Sequence, residues 1–498
     1  MFRAMAALIS PPSKRLFLRN VLIVLFIAAL SHPGIAETRE PIACNDMMAW
    51  LAGGISNPRL SQLAAQRGIS FSLTREVESN LLEAGAQPKL IQNLVRVQST
   101  DTTSSCSSTV EKAAALVNAG NYPQAEKIVR KLVENNPKNA ALHLALGSIR
   151  QQQEDWDDAF DEYTISKELM PNLPEIHNRL AYVFYQLNDG DNAIAEARTA
   201  LSIDPRNAEA HRFLGLGLSN NKLYDAALHA FRESLSLQPA QADTYYDMAM
   251  MLNDKGDSQM AASAYRTAIQ LNPAFWQAYN NLGILLHDAG KFDEAIVQYK
   301  QAKQLSPQEP TVRNNLGNTY YEKGDYDAAI TEFRELFRLN PDWKGGHAGL
   351  AKVFLAKQDY ESALPQLKLA ILDNPTGSAE HRVMGQVLLL THQQQEGLRE
   401  LRIAVELDPD SALAHRLFGT ALFEANHLAE AAQELHEALR LEPSAENHYL
   451  LAACLMSMGH DSEALAELEV AASLKPGETL YRARKDELLK LMKEGKAQ

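Results

Sequence analysis

The sequence predicts an all-α protein, a solenoid of about eleven helix–turn–helix units behind a small helical domain, on three observations. Prolines fall at 137, 171, 205, 239, 273, 307, 341, 375, 409 and 443, each 34 residues after the last, and Pro476 follows at 33. With each proline counted as position 32 of a unit, position 8 reads Ala113, Gly147, Ala181, Gly215, Ala249, Gly283, Gly317, Ala351, Gly385, Gly419 and Ala452. Position 20 reads Ala125, Ala159, Ala193, Ala227, Ala261, Ala295, Ala329, Ala363, Gly397, Ala431 and Ala464. Two columns holding only Gly or Ala at one fixed period are the mark of a stacked array.

From the N-terminus, Lys14, Arg15 and Arg19 precede an apolar run from Val21 to Leu30, and Gly34-Ile35-Ala36 gives a small-x-small cleavage pattern. Residues 1–36 therefore read as a signal peptide, because ten apolar residues fall short of the ~20 that span a bilayer. The expectation is an exported protein, periplasmic or secreted, with no integral membrane span after cleavage. Residues 37–107 read as a small helical leader. Asn57-Pro58 opens one helix, Thr74 caps another with Glu76 in its first turn, and Pro88 opens a last one carrying Leu90, Ile91, Leu94 and Val95 inward. A Ser/Thr-rich stretch from Thr100 to Thr109 follows as linker. Cys44 and Cys106 bracket this leader and are candidates for a bridge in an oxidising compartment, the alternative being two unpaired thiols; Cys454 reads as a core thiol.

The array occupies residues 108–478. Small side chains at positions 8 and 20 let two antiparallel helices approach, and anything larger would overpack the crossing. Position 7 supplies bulk, as in Leu146, Leu180, Leu282 and Phe418, and position 24 adds rings such as Tyr163, Phe231, Tyr265, Tyr299 and Phe333. Gly120, Gly256, Gly290, Gly324 and Gly459 stand in the inter-helix turn, where a left-handed residue ends the first helix. The proline cannot continue the second helix. Residues 479–498 read as an amphipathic helix capping the last unit.

Asn280-Asn281-Leu282-Gly283 and Gly324-Asp325-Tyr326-Asp327-Ala328-Ala329-Ile330 resemble the tetratricopeptide repeat consensus. That resemblance covers about three quarters of the chain and implies a right-handed superhelix with a concave groove for proteins or extended peptides. The stretch from Arg67 to Ala86 resembles, more weakly, a short module of bacterial exported repeat proteins.

The formal net charge is −14, and loss of the four cations in residues 1–36 would leave −18. Nucleic-acid binding needs a basic footprint, so that class is excluded. No phosphate-binding loop, nucleophile elbow, zinc-protease helix or dinucleotide fingerprint is found, and the repeats leave no room for a catalytic domain. The expectation is a non-catalytic scaffold without cofactor or metal. His143, His177, His211, His347, His381 and His415 share position 4, with His448 equivalent. They read as packing residues rather than ligands, since each lies in a different unit and zinc–nitrogen bonds are ~2 Å.

Groove candidates come from positions 5, 6 and 9 of the first helices: Asn178, Arg212, Asn280, Asn281, Asn314, Asn315, Asn318, Arg382 and Arg416. Asn can grip a peptide backbone through paired donor and acceptor. Asn281 and Asn315 resemble the asparagine-lined groove of O-linked N-acetylglucosamine transferases, while Leu216 and Met250 depart from the carboxylate clamp of chaperone-binding members. Two further readings stand beside the scaffold: a regulatory partner of a separately encoded glycosyl- or peptide-modifying enzyme, and a surface adhesin or carbohydrate-binding repeat protein.

Overall fold

The computed structural model of the chain describes residues 40–97 and 106–495. The expected signal segment and most of the Ser/Thr-rich linker lie outside the described residues. Among the described residues there are 27 α-helices, and one isolated parallel bridge joins Ile42 to Ile69. The leader supplies α1 (Cys44–Ala52), α2 (Asn57–Arg67), α3 (Arg75–Glu83) and α4 (Pro88–Val95).

Eleven helix pairs follow. Their first helices are α5 (Ser108–Asn118), α7 (Ala140–Gln152), α9 (Pro174–Gln186), α11 (Ala208–Asn220), α13 (Ala242–Lys255), α15 (Trp276–Asp288), α17 (Pro310–Lys323), α19 (Gly346–Ala356), α21 (Ser378–Leu390), α23 (Ala412–Glu424) and α25 (Ala445–Ser457). The second helices are α6 (Tyr122–Asn135), α8 (Trp156–Leu169), α10 (Gly190–Ile203), α12 (Tyr224–Leu237), α14 (Ser258–Leu271), α16 (Phe292–Leu305), α18 (Tyr326–Leu339), α20 (Tyr360–Asp373), α22 (Gln394–Leu407), α24 (Leu428–Leu441) and α26 (Asp461–Leu474). Each second helix has 14 residues and stops just ahead of the periodic proline. A final helix, α27 (Thr479–Gly495), packs on α26 and buries Leu488.

The turn inside each pair has one rule. Position 15 is left-handed in all eleven pairs, at the five glycines already named and at Glu154, Asn188, Lys222, Gln358, His392 and Asn426, with φ between 57° and 62° for these six. A non-glycine residue there costs ~1–2 kcal/mol, so the rest of the turn must hold it in place. At Asn188 and Gln358 part of that hold is the N-cap that follows, a cap that also stands after Gly256 and Gly324. The side chains of Asp189, Asp257, Asp325 and Asp359 each accept from a backbone N–H in the first turn of the next helix.

The small residues do what their column requires. A Cβ on Gly147 would come within 2.6 Å of the Tyr163 ring, and one on Gly317 within 2.9 Å of Phe333. Position 8 is therefore small chiefly to seat the position-24 side chain, a tighter constraint than helix–helix approach alone.

The chain forms two compact units, Met1–Asn221 and Lys222–Gln498. In the first, a single buried cluster runs from Ile42, Met47, Met48 and Trp50 of the leader through α5 and α7 to Val183, with no break at the leader's end. In the second, surface pairs staple neighbouring repeats: Lys255–Asp225, Lys323–Asp293 and Lys357–Asp327, each 2.6 Å. All three carboxylates are exposed, so each pair adds little to stability.

Candidate functional site

The first-helix face carries the groove candidates, and the two units use it differently. In unit 1 the leader sits on it. α1 packs against α5 and α7, and a Cβ on Gly53 would lie 2.9 Å from Leu144, the position-5 residue of α7. The Gly54 carbonyl accepts from Arg179 Nη2 at 2.7 Å. Arg59 of α2 reaches Glu175 of α9 at 2.6 Å, with both side chains largely buried. Asn139 donates to Asp46 at 3.1 Å. Burial raises Asp46 and Glu175 above the usual carboxylate range, against the pull of their partners. Asn178 is wholly buried here; its amide donates to Asn207 and Glu209, and its carbonyl oxygen has no protein partner.

Cys44 and Cys106 come together beside this seat, with Cα atoms 5.1 Å apart, inside the range a disulfide spans. Ser107 N–H also donates to Asn45 Oδ1 at 2.8 Å, holding the same two segments together. Cys454 is buried in α25, and burial raises its thiol above the usual value.

In unit 2 the asparagines bond to one another. Asn281 donates to the Tyr246 hydroxyl at 3.0 Å, Asn280 to Asn281 Oδ1 at 3.2 Å, and Asn315 to Asn280 Oδ1 at 3.1 Å. This chain crosses three repeats on α13, α15 and α17. Beside it, Thr319 donates to the backbone carbonyl of Asn315 at 2.7 Å and meets His287 Nδ1 at 3.0 Å. Asn314 and Asn318 are half-buried, and the Asn314 carbonyl oxygen has no protein partner. Arg382 is half-exposed and Arg416 is paired with Glu446. Arg212, at the end of unit 1, lies with its guanidinium 5.4 Å from the Phe213 ring centroid. The structure thus joins Asn280, Asn281 and Asn315 in one network, while Asn178 bonds to Asn207 and Glu209, and Arg416 to Glu446.

The histidine column has partners the sequence reading missed. His143, His177, His381 and His415 lie with Nδ1 at 2.6–2.7 Å from Glu162, Glu196, Glu400 and Glu434, and His448 lies 2.5 Å from Glu467. Every one of those glutamates is 19 residues on, at position 23. The signal was in the sequence: five of the seven histidines have Glu at that spacing, whereas His211 has Ala230 and His347 has Gln366. Among the described residues no group of three His, Cys, Asp or Glu could hold a metal ion.

With repeat geometry and groove in place, the family follows. The tetratricopeptide repeat model matches residues 110–172, 178–245, 314–379, 385–446 and 416–479, and related repeat models match 242–275, 264–297 and 285–324. The chain belongs to the tetratricopeptide repeat family, whose repeats make it a protein-interaction scaffold in the broad sense. No curated protein sequence matches it. Similar solved structures include MamA from Desulfovibrio magneticus RS-1, 23% identical over 34% of this chain and 95% of that one, with a TM-score of 0.32. The TPR protein YrrB is 21% identical over 39% and 97%, at 0.30, and yeast Tom70 is 16% identical over 78% and 94%, at 0.35. At these scores the likenesses carry no argument about function.

Proposed function

We propose that the chain is a non-catalytic scaffold of the exported space that holds partner proteins or extended peptides on the first-helix face of its second unit. The observation that carries this reading is the contrast along that face. In unit 1 Leu144, Glu175 and Arg179 are covered by the leader, while in unit 2 Asn318 and Arg382 are half-exposed and the buried Asn314 carbonyl oxygen has no protein partner, beside a bonded asparagine network. A side chain whose neighbours are already fixed loses little entropy on binding. Export rests on the signal-peptide pattern of residues 1–36, and a bond between Cys44 and Cys106 suits an oxidising compartment. No described helix is long and apolar enough to cross a membrane.

Photo-crosslinking tests the face. A crosslinker at position 318 or 382 should capture the same partner, and one at the exposed Val297 on a second helix should not. The triple substitution N314A/N318A/R382A should weaken that partner by tenfold or more while leaving the melting curve in place. Equal capture from both faces would overturn the assignment.

A further inference from the structure

In three repeats the position-4 histidine faces two acceptors. His143 lies between the Glu162 carboxylate on Nδ1 and the Pro137 carbonyl on Nε2, at 2.6 and 3.1 Å. His177 lies between Glu196 and the Pro171 carbonyl, at 2.6 and 2.8 Å, and His415 between Glu434 and the Pro409 carbonyl, at 2.6 and 3.0 Å. A carbonyl oxygen and a carboxylate can only accept, so only a ring with a proton on both nitrogens satisfies both.

The chain supplies its own control. In the repeat that begins at Pro310, position 4 is Arg313, whose Nη1 donates to Glu332 at 3.3 Å and Nη2 to the Pro307 carbonyl at 3.2 Å. A permanently charged side chain thus meets the same two acceptors, at the same spacing in sequence. The socket takes a cation.

We infer that the socket around His143 is acid-stabilised: it is closed by an imidazolium at mildly acidic pH and loosens as the ring loses its charge. Its direction follows from linkage. The Glu162 hydrogen bond raises His143 above the ordinary histidine value, so its contribution is fully present below ~6.5 and is lost as pH rises through the folded value. Glu196 lies below the usual carboxylate range: burial alone would raise it, but His177 and Lys167 outweigh burial. Its contribution is lost as pH falls through that lowered value. The window of greatest stability therefore lies between the two.

The other charges around each socket are few. Beside His143 the neighbouring cavity is lined by Arg130 and Glu134 of α6, Arg150 of α7 and Asp158 and Asp161 of α8. At His177, Lys167 of α8 shares Glu196 at 2.9 Å; at Arg313, Lys303 of α16 shares Glu332 at 2.6 Å. Those lysines stand at position 28, where α6 and α22 carry Val133 and Val405. Near His415 stand Glu434 and Glu437 of α24, with Arg440 and Asp410. At His177 the cation of Lys167 also faces the carboxylate of Glu196, whereas no lysine stands at that position beside His143.

The full chain with H143R tests this, since it installs the arrangement already present at Arg313. The wild-type unfolding midpoint should fall from pH 6.0 to 8.5 by roughly 2–4 °C, and H143R should be flatter by that amount. R313H, made separately, should add pH dependence of the same sign. A wild-type midpoint that does not fall over that range overturns the inference, as does an H143R variant as steep as wild type. If H143R does not fold, R313H decides alone: a midpoint displaced equally at both pH values overturns it.

Discussion

The two units are built from one repeat and treat the same helix face in opposite ways. In unit 1 the face at Leu144, Glu175 and Arg179 is covered by the leader, and the burial is deep enough to raise Glu175 and Asp46. In unit 2 the equivalent stretch is tied sideways, by amides running from Tyr246 to Asn315. The same repeat face can therefore be covered by the chain's own leader or tied by its own amides, and the residues at positions 2, 5 and 6 differ accordingly. Glu175 offers the leader an acid for Arg59, whereas Asn280 and Asn315 offer each other amides.

The contrast can be broken, beginning with the largest effect. Replacing both Cys44 and Cys106 by Ser should lower the stability of unit 1 by ~4 kcal/mol, the scale for closing a loop of this length, and leave the unit 2 transition unmoved. Urea unfolding followed by hydrogen exchange separates the two, and non-reducing intact mass checks the bond itself. Ala295→Trp, inside a helix pair of unit 2, should cost roughly 1–3 kcal/mol in thermal unfolding by overpacking a fully buried site. Arg59→Met removes the leader's cation and leaves Glu175 buried without it. The expected loss is about 1–2 kcal/mol, discounted because Arg59 is partly exposed, with faster exchange in α1 and α2 and none in unit 2. Smallest is Gln358→Gly, which relieves a left-handed residue and should stabilise unit 2 by under ~1 kcal/mol, visible as a slightly raised midpoint.

Much of this architecture could be read from the sequence, because it is periodic. Prolines, small columns and turn glycines repeat, and a repeated constraint stands out from noise. Six left-handed turns went unmarked because Glu154, Lys222, Gln358 and His392 carry side chains with no strong preference for that region, and Asn188 and Asn426, which favour it, stand among them only at the shared position 15. Glutamate stands at position 23 in only six of the eleven units, and pairing His with Glu across 19 residues needed the helix hairpin to be folded in mind first. What no period could announce was the leader's seat. Arg59 and Glu175 are 116 residues apart, and nothing near either names the other.

That separation governs how the molecule assembles. Within the array, the cross-helix bonds described here join residues at most 35 apart, so unit 2 can nucleate at any pair and grow outward. The leader is made first, yet its contacts at Glu175 and Arg179 do not exist until the third repeat has emerged, 116 and 125 residues later. For that interval Met47, Met48 and Trp50 have only part of their eventual cover, and the beginning of the chain waits on its middle to finish folding.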